Sequence, residues 1–379
     1  MDIKDLRESI NAIDDQIATL YVKRMEIAKQ IGEYKVANKL TVGDASRERE
    51  IINRVTKDMP DEIKLYGKQV FEGMFNTSKA YQTRFVEMDS KVVSSIRDAL
   101  GSGVKAFPNS ACVACQGVAG AYSQIATDRM FPIADILYFK DWNSVFRAVE
   151  KGLCEFGVLP VENSNAGSVN AVYDLMRKHN FYIVKSIKLR IQHYLLAKSG
   201  TEISSIKEIY THEQAVAQCS EFLKELGDVK ITVCDNTAKS AEMVASLDRN
   251  DVACICSHDC AGLYGLSVIE PNVQNNDNNY TRFIAIQKKL TIYENATKIS
   301  IMANLPHESG SLSRVLNRFS SLGLNLTKLE SRPMSNTSFE FAFYFDVMAR
   351  IDQKEVQNLL AEMETTCDKF VFLGAYEEI

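Results

Sequence analysis

Long hydrophobic runs are absent from the chain. No apolar stretch approaches the roughly 18 residues that a membrane-spanning helix needs, and no leader of the secretory type opens it. Excess positive charge is absent too: 44 Lys and Arg against 49 Asp and Glu leave a formal net charge of −5. That excludes a global basic field for nucleic acid or a membrane surface, so any anion has to be met by local pockets. A two-pair cysteine spacing is also missing. Nine cysteines at irregular intervals read as reduced thiols of a cytosolic, cytoplasmic protein. Two clusters come nearest to a metal pattern, Cys112-x-x-Cys115 and Cys254-x-Cys256-x-His258-x-Cys260. Each lies on or beside an apolar strand pattern whose alternate residues face opposite sides of a sheet, and the two-pair spacing of a structural zinc site is not there. They are read as buried thiols, with no metal assigned. What is present is bulk: 379 residues, 46% apolar and 25% charged, enough for two or three domains with cores of their own.

The organising stretch runs from Leu6 to Lys35. Ile3, Leu6, Ile10, Ile13, Ile17, Leu20, Ile27, Ile31 and Tyr34 form a stripe at helical spacing, with Arg24 in a slot where Leu or Ile belongs. No Pro interrupts it. The helix is expected to reach roughly 45–50 Å, longer than a globule of ~90 residues is wide, so one end should pack on a second copy of the chain. Arg7 and Lys35 flank the stripe. Either Arg24 snorkels or pairs with a carboxylate such as Asp14, or the cations enclose a small dianion.

Two further helices complete an all-helical segment over residues 1–88. Asp44, Arg47 and Glu48 share one face of the second, and the third runs from about Asp61 to Val86 with Ser78 and Gln82 four residues apart. Arg7, Arg24, Lys35, Asp44, Arg47, Glu48, Ser78 and Gln82 together resemble the active-site residues of the all-helical chorismate mutases. Their reaction, chorismate to prephenate, is a unimolecular rearrangement. It needs a folded dicarboxylate and stabilised charge on an ether oxygen, with no nucleophile and no cofactor. The resemblance implies that Arg7 (from a partner subunit), Arg24 and Arg47 hold carboxylates. It assigns Lys35 and Gln82 to the ether oxygen, Glu48 and Asp44 to the ring hydroxyl, and an intertwined dimer to the fold.

Residues 89–109 mix a weak helical turn with Gly, Ser and Pro and read as a linker. Over residues 110–289 short apolar runs alternate with helical patterns. Examples of the runs are Ala111–Cys115, Ile136–Phe139, Gly157–Leu159, Ile206–Tyr210, Ile231–Cys234, Val252–Cys256 and Phe283–Ile286. The pattern is α/β with a largely parallel sheet, able to form two lobes around a cleft. Four strand-to-helix turns rich in Gly, Ser, Thr and Asn follow the strands, at 117–123, 160–168, 211–215 and 235–240, where open sheets bind anionic ligands. Gly117-Val118-Ala119-Gly120-Ala121-Tyr122-Ser123, Pro160-Val161-Glu162-Asn163-Ser164 and Tyr280-Thr281-Arg282-Phe283 resemble the signatures of prephenate dehydratase, with Ala119 where that family usually has Pro. The resemblance implies a two-lobed, periplasmic-binding-protein-like fold. It also implies loss of carbon dioxide and a ring hydroxyl from prephenate to give phenylpyruvate, without a cofactor. Thr281 is implied as the group serving the departing hydroxyl, with Asn163, Ser164, Gln214, Thr237, Arg282 and Phe283 around the substrate.

Residues 298–379 give strand, helix, two strands, helix, strand, the ferredoxin-like order. Gly310, Ser311 and Leu312 at the first turn, with Glu330, Ser331 and Arg332 in the Glu330-Ser331-Arg332-Pro333 run, resemble the phenylalanine-binding ACT domain of these enzymes. The expectation is a multidomain, homo-oligomeric, bifunctional enzyme under feedback control by L-phenylalanine. Two other readings stay open for the second domain: arogenate as its substrate, or a non-catalytic two-lobed ligand-binding module.

Overall fold

The computed structural model describes residues 2–38, 44–82, 84–85, 90–103, 105–308, 310–333 and 341–379. The chain divides into two compact units, residues 1–102 with 298–372, and residues 103–297 with 373–379.

The first unit opens with α1, Ile3–Ala37, a single helix of 35 residues. After α2 (Ala45–Thr56) and α3 (Asp61–Gln82), α1 and α3 pack on one another. The third helix is shorter than the expected reach to Val86, which lies outside the described residues. The apolar stripe of α1 is left bare within one chain: Ile3, Ile10, Leu20 and Tyr34 are all exposed, Leu20 by 64%. So long an uncovered apolar seam is far beyond scattered surface hydrophobes.

The expected linker is corrected by α4, Lys91–Gly101. Ser90 caps it by accepting from the Val93 N–H at 3.2 Å, and Val93 and Ile96 are fully buried. Apolar side chains at 92, 93, 96 and 100 give one face that needs a partner, and the helix Lys354–Thr366 supplies it. Val92 N donates to the Glu364 carboxylate at 3.1 Å, and Arg97 Nε to Gln357 Oε1 at 3.2 Å. The C-terminal part of this unit follows the expected order. Its strands lie Asn325–Pro333, Phe341–Met348, Lys298–Asn304, Lys369–Glu378, with helices Ser311–Ser321 and Lys354–Thr366.

The second unit holds two sheets, each largely parallel in direction with one main strand reversed. In the first, Ile133–Phe139, Ser110–Gln116 and Phe156–Asn163 are parallel, but Tyr280–Gln287 runs antiparallel to Phe156–Asn163 and to Tyr182–Arg190. In the second, Glu208–Thr211 is parallel to Lys230–Val233 and Val252–Cys256, while Tyr194–Ala197 runs antiparallel to both its neighbours, Val252–Cys256 and Ser267–Glu270. The chain crosses between the sheets twice, from Arg190 to Tyr194 and back from Glu270 to Tyr280, and each returning strand enters reversed. That gives two lobes, each with its own core, around Phe131, Phe156 and Phe283 in one and Leu195, Ile209 and Ile255 in the other. The helical pattern over residues 213–225 folds as two short helices, Glu213–Gln218 and Ser220–Glu225, that meet at Cys219.

The strand Lys369–Glu378 ends in the second unit, where Glu377 and Glu378 pair in parallel with Lys185 and Ser186. Gly374 passes so close to Ile183 that a Cβ there would lie 2.1 Å from its carbonyl oxygen, at a φ of +143° that side chains rarely adopt.

Candidate active sites

On the helical segment, Arg24 reaches across to α3 rather than to Asp14 on its own helix. Its Nη1 donates to the Ser78 hydroxyl and to the Met74 carbonyl at 3.2 Å, and the guanidinium sits 5.7 Å from the Phe75 ring centroid. Ser78 and Gln82 are buried beside it on α3, and among the described residues Gln82 Oε1 has no partner. Glu48 pairs with Lys79 at 3.0 Å. Asp44 is spent on local structure, capping α2 through the Arg47 N–H at 2.9 Å. Arg47 itself turns to Glu50 at 2.6 Å, and Arg7 is exposed near the start of α1. Lys35 is half-buried one turn from the helix end.

The second site lies between the two lobes, in a cleft of about 330 Å³ lined from both. Its floor is built by one amide. Asn163 Oδ1 accepts from the backbone N–H groups of Asn165 and Ala166, at 3.0 and 2.9 Å, so its Nδ2 must be the donor side. That nitrogen donates to Thr281 Oγ at 2.9 Å and to Asn279 Oδ1 at 2.8 Å. Thr281 therefore already accepts, and its hydroxyl proton is left to donate elsewhere. The strand holding Thr281 pairs Thr281 with Asn163, then shifts register between Arg282 and Phe283, opposite Pro160. A strand Pro has no N–H to give, and such an irregularity re-aims neighbouring side chains.

His193 faces the same cleft. Its Nε2 bonds Gln218 Oε1 at 2.8 Å and its Nδ1, buried, has no partner among the described residues. Burial pushes its pKa down, against the opposing pull of Gln218, so the ring is neutral at neutral pH. Tyr122 closes one wall, its hydroxyl donating to the Gln192 carbonyl and accepting from the Gln192 N–H at 3.1 Å; burial raises its pKa. The helices Tyr122–Met130 and Thr237–Ser246 begin at the cleft, with N-terminal N–H groups suited to an anion.

Comparison with known proteins agrees with this architecture. The chorismate mutase type II family matches residues 6–83 and the prephenate dehydratase family residues 113–291. An arogenate dehydratase/prephenate dehydratase of Arabidopsis thaliana is 35% identical over 275 residues, covering 70% of this chain and 72% of that protein. The chain belongs to the prephenate dehydratase family. It carries a chorismate mutase type II domain ahead of the dehydratase domain, and it is 29% identical to the bifunctional chorismate mutase/prephenate dehydratase of Escherichia coli over 98% of this chain and 95% of that one. Among solved structures, the prephenate dehydratase of Arthrobacter aurescens in complex with L-Phe is 28% identical, with a TM-score of 0.65 over 70% of this chain and 90% of that one.

In the dehydratase domain, five of the seven expected substrate residues line the cleft: Asn163, Gln214, Thr237, Thr281 and Phe283. Ser164 and Arg282 do not. Ser164 ties the loop to the strand, its hydroxyl donating to the Asn278 carbonyl and accepting from the Tyr280 N–H, both at 2.9 Å. Arg282 follows Thr281 and so takes the other face of the sheet, where Glu162 at 3.4 Å and Glu378 at 3.7 Å meet it. Trp142, His193 and Gln218 were not anticipated as lining residues. Trp142 opens a helix and His193 sits in a crossover segment, positions without motif signal. Cys254, Cys256 and Cys260 are wholly buried near the second sheet, consistent with packing thiols.

In the C-terminal part, Gly310 takes a φ of +84° just before the helix Ser311–Ser321. Ser311 and Leu312 line a pocket of about 280 Å³ with Leu305, Phe341 and Phe343. Glu330, Ser331 and Arg332 lie on the adjoining edge strand, Ser331 paired with Phe343. Ser309 and residues 334–340 lie outside the described residues.

Proposed function

We propose that the two sites act in sequence in phenylalanine formation: the helical domain rearranges chorismate to prephenate, and the two-lobed domain converts prephenate to phenylpyruvate. The observation that carries the second step is the saturated Asn163 amide, which leaves the Thr281 hydroxyl free to donate toward the departing ring hydroxyl. Aromatisation drives the loss of carbon dioxide, and the cleft has only to orient the substrate and stabilise the leaving oxygen. For the first step, Arg24 held between Ser78 and Phe75 gives a cation positioned for a carboxylate, with Arg47, Lys35, Glu48, Asp44 and Gln82 on the same three helices. Arg7 is assigned to the site of a second chain, and the bare stripe of α1 to the contact between the two copies.

The residues from Lys298 onward are read as an ACT domain that takes L-phenylalanine beside Gly310, Ser311 and Leu312. Support comes from the strand order, the left-handed turn at Gly310 and the pocket it borders. Supplying chorismate to the purified chain and following phenylpyruvate, with and without L-phenylalanine, tests the whole reading. Arogenate assayed in parallel tests the alternative substrate; turnover of arogenate but not prephenate would replace the proposed second step.

A further inference from the structure

The Thr281 cleft and a second hollow share the residues Gln214 and Gln218. The second, about 340 Å³, is bounded also by Asn165, Gln274, Asn276 and Asn279 and is built almost wholly of amides. Among the described residues neither lining contains a Lys or Arg, and the cleft contributes one carboxylate, Asp235. A dicarboxylate bound there has to be held by neutral donors. One such donor is waiting. Because Asn163 Nδ2 is fixed as a donor, the Asn279 atom facing it is Oδ1, and the other Asn279 atom is therefore the NH₂ group. Asn279 is 0% exposed, and its Nδ2 has no partner among the described residues. A buried donor left unmade is costly, and such a group in a native protein calls for a catalytic role or a partner, water or an ion among them.

Resting on the reading of Thr281 as the group that serves the departing hydroxyl, we propose that the amide-lined hollow receives the side-chain carboxylate of the substrate and that Asn279 Nδ2 donates to it. The ring carboxylate is the one lost as carbon dioxide, and strong donors placed on it would favour the ground state. The side-chain carboxylate survives the reaction, so donors can hold it throughout. Asn163, between Asn279 and Thr281, then ties the anchor at one end of the substrate to the donor at the other. Thr281 Oγ and Asn279 Oδ1 both lie within hydrogen-bond reach of its one nitrogen.

The test uses the full-length protein with prephenate, at pH 8 and at lower pH. Asn279→Asp keeps an acceptor for Asn163 but replaces the donor by a carboxylate. KM for prephenate should rise more than tenfold with kcat changed less, the loss of one donor to a charged group being worth roughly ten- to a hundredfold. As pH falls and the new carboxyl gains a proton it becomes a donor again, so KM should recover toward the wild-type value. Asn276→Asp, on an exposed loop at the rim of the same hollow, keeps the oxygen that accepts from the Asn278 N–H at 2.8 Å and adds charge. It too should raise KM with kcat retained. Wild-type KM in both variants, or a defect in Asn279→Asp that lowering the pH does not relieve, overturns the assignment of the hollow. Thr281→Val measured alongside separates the two ideas: if it is inactive the reading of Thr281 stands whatever the Asp variants do, and if it is active that reading falls.

Discussion

Arg24→Leu is the most informative single substitution in the helical domain. The side chain gives up a bond to Ser78, one to the Met74 carbonyl at 3.2 Å, and a cation–π contact with Phe75. Ser78 continues to donate to Met74 O at 2.7 Å, so that carbonyl is not orphaned. The loss, about 1 kcal/mol for the hydrogen bonds and about 0.5–1 for the ring contact, is offset by placing Leu in an apolar stripe at roughly 25 cal/mol per Å² covered. Net stability should move by no more than about 1 kcal/mol, a shift of a few degrees in melting temperature at most. Removing a cation from a bound carboxylate costs about 2–5 kcal/mol, or roughly 30- to several thousandfold. Chorismate consumption should fall by that factor in kcat/KM, while turnover of supplied prephenate in the same preparation stays at the wild-type level. A folded variant whose mutase kcat/KM stays within tenfold of wild type would refute the assignment of Arg24 to the substrate.

Thr281→Val keeps the shape and strand preference of the site but removes its free hydroxyl; dehydratase turnover should drop by about 10²–10⁴ while prephenate still binds, as equilibrium titration would show. Glu208 is held down to about 2 by hydrogen bonds from Lys230, Thr232 and Arg249. A depressed carboxylate pKa stabilises the fold above the unfolded value near 4.5 and is lost as pH falls through the folded value. The advantage of wild type over Glu208→Gln in urea melts should therefore be full at pH 6 and vanish toward pH 2. Leu312→Asp should abolish inhibition of the dehydratase by L-phenylalanine without changing its turnover; simple competition between L-phenylalanine and prephenate in the wild-type protein would contradict a separate regulatory site. A point substitution is the cleaner experiment, since a chain cut near Lys289 would also lose Leu373–Ile379 from the dehydratase unit.

The elements most legible in the sequence were those with one uninterrupted period. The 3.6-residue stripe from Ile3 to Tyr34 places α1 within a few residues, and the continuous run Val252–Cys256 matches its strand end for end. Tyr182–Arg190 shows no clear strand pattern in the sequence, because Lys185, Lys188 and Arg190 break up its apolar run. Those lysines are matched from afar, Lys185 by Glu377 at 3.3 Å and Lys188 by Glu378 at 2.9 Å. The reversal of one strand in each sheet was illegible for a similar reason: it is set by where the two crossovers return, not by local pattern. At the sites, the family motifs pointed to Thr281, with its implied role, and to Asn163, but not to the hydrogen bond between them. Its direction follows from which atom of the Asn163 amide accepts, a matter decided by two backbone N–H groups on a following turn. The stretch holding α4 failed on punctuation: Gly101, Gly103 and Pro108 suggested a connection, and the apolar face that Lys354–Thr366 covers came before them.

The last strand has a consequence for how the protein is made. Residues 373–379 complete the edge of a sheet whose other strands lie between residues 110 and 287. The Ile379 N–H bonds the Ser186 carbonyl at 2.9 Å, and the Ile379 carbonyl takes the Lys188 N–H at 3.0 Å. At roughly 5–20 residues per second on the ribosome, that edge stands unpaired for about 10–40 s after Arg190 has emerged, exposed to mispairing until residues 373–379 follow. The dehydratase unit therefore finishes folding only after residues 373–379 have been made. Any truncation or frameshift that removes residues 373–379 acts on the dehydratase unit's assembly before it can act on its control.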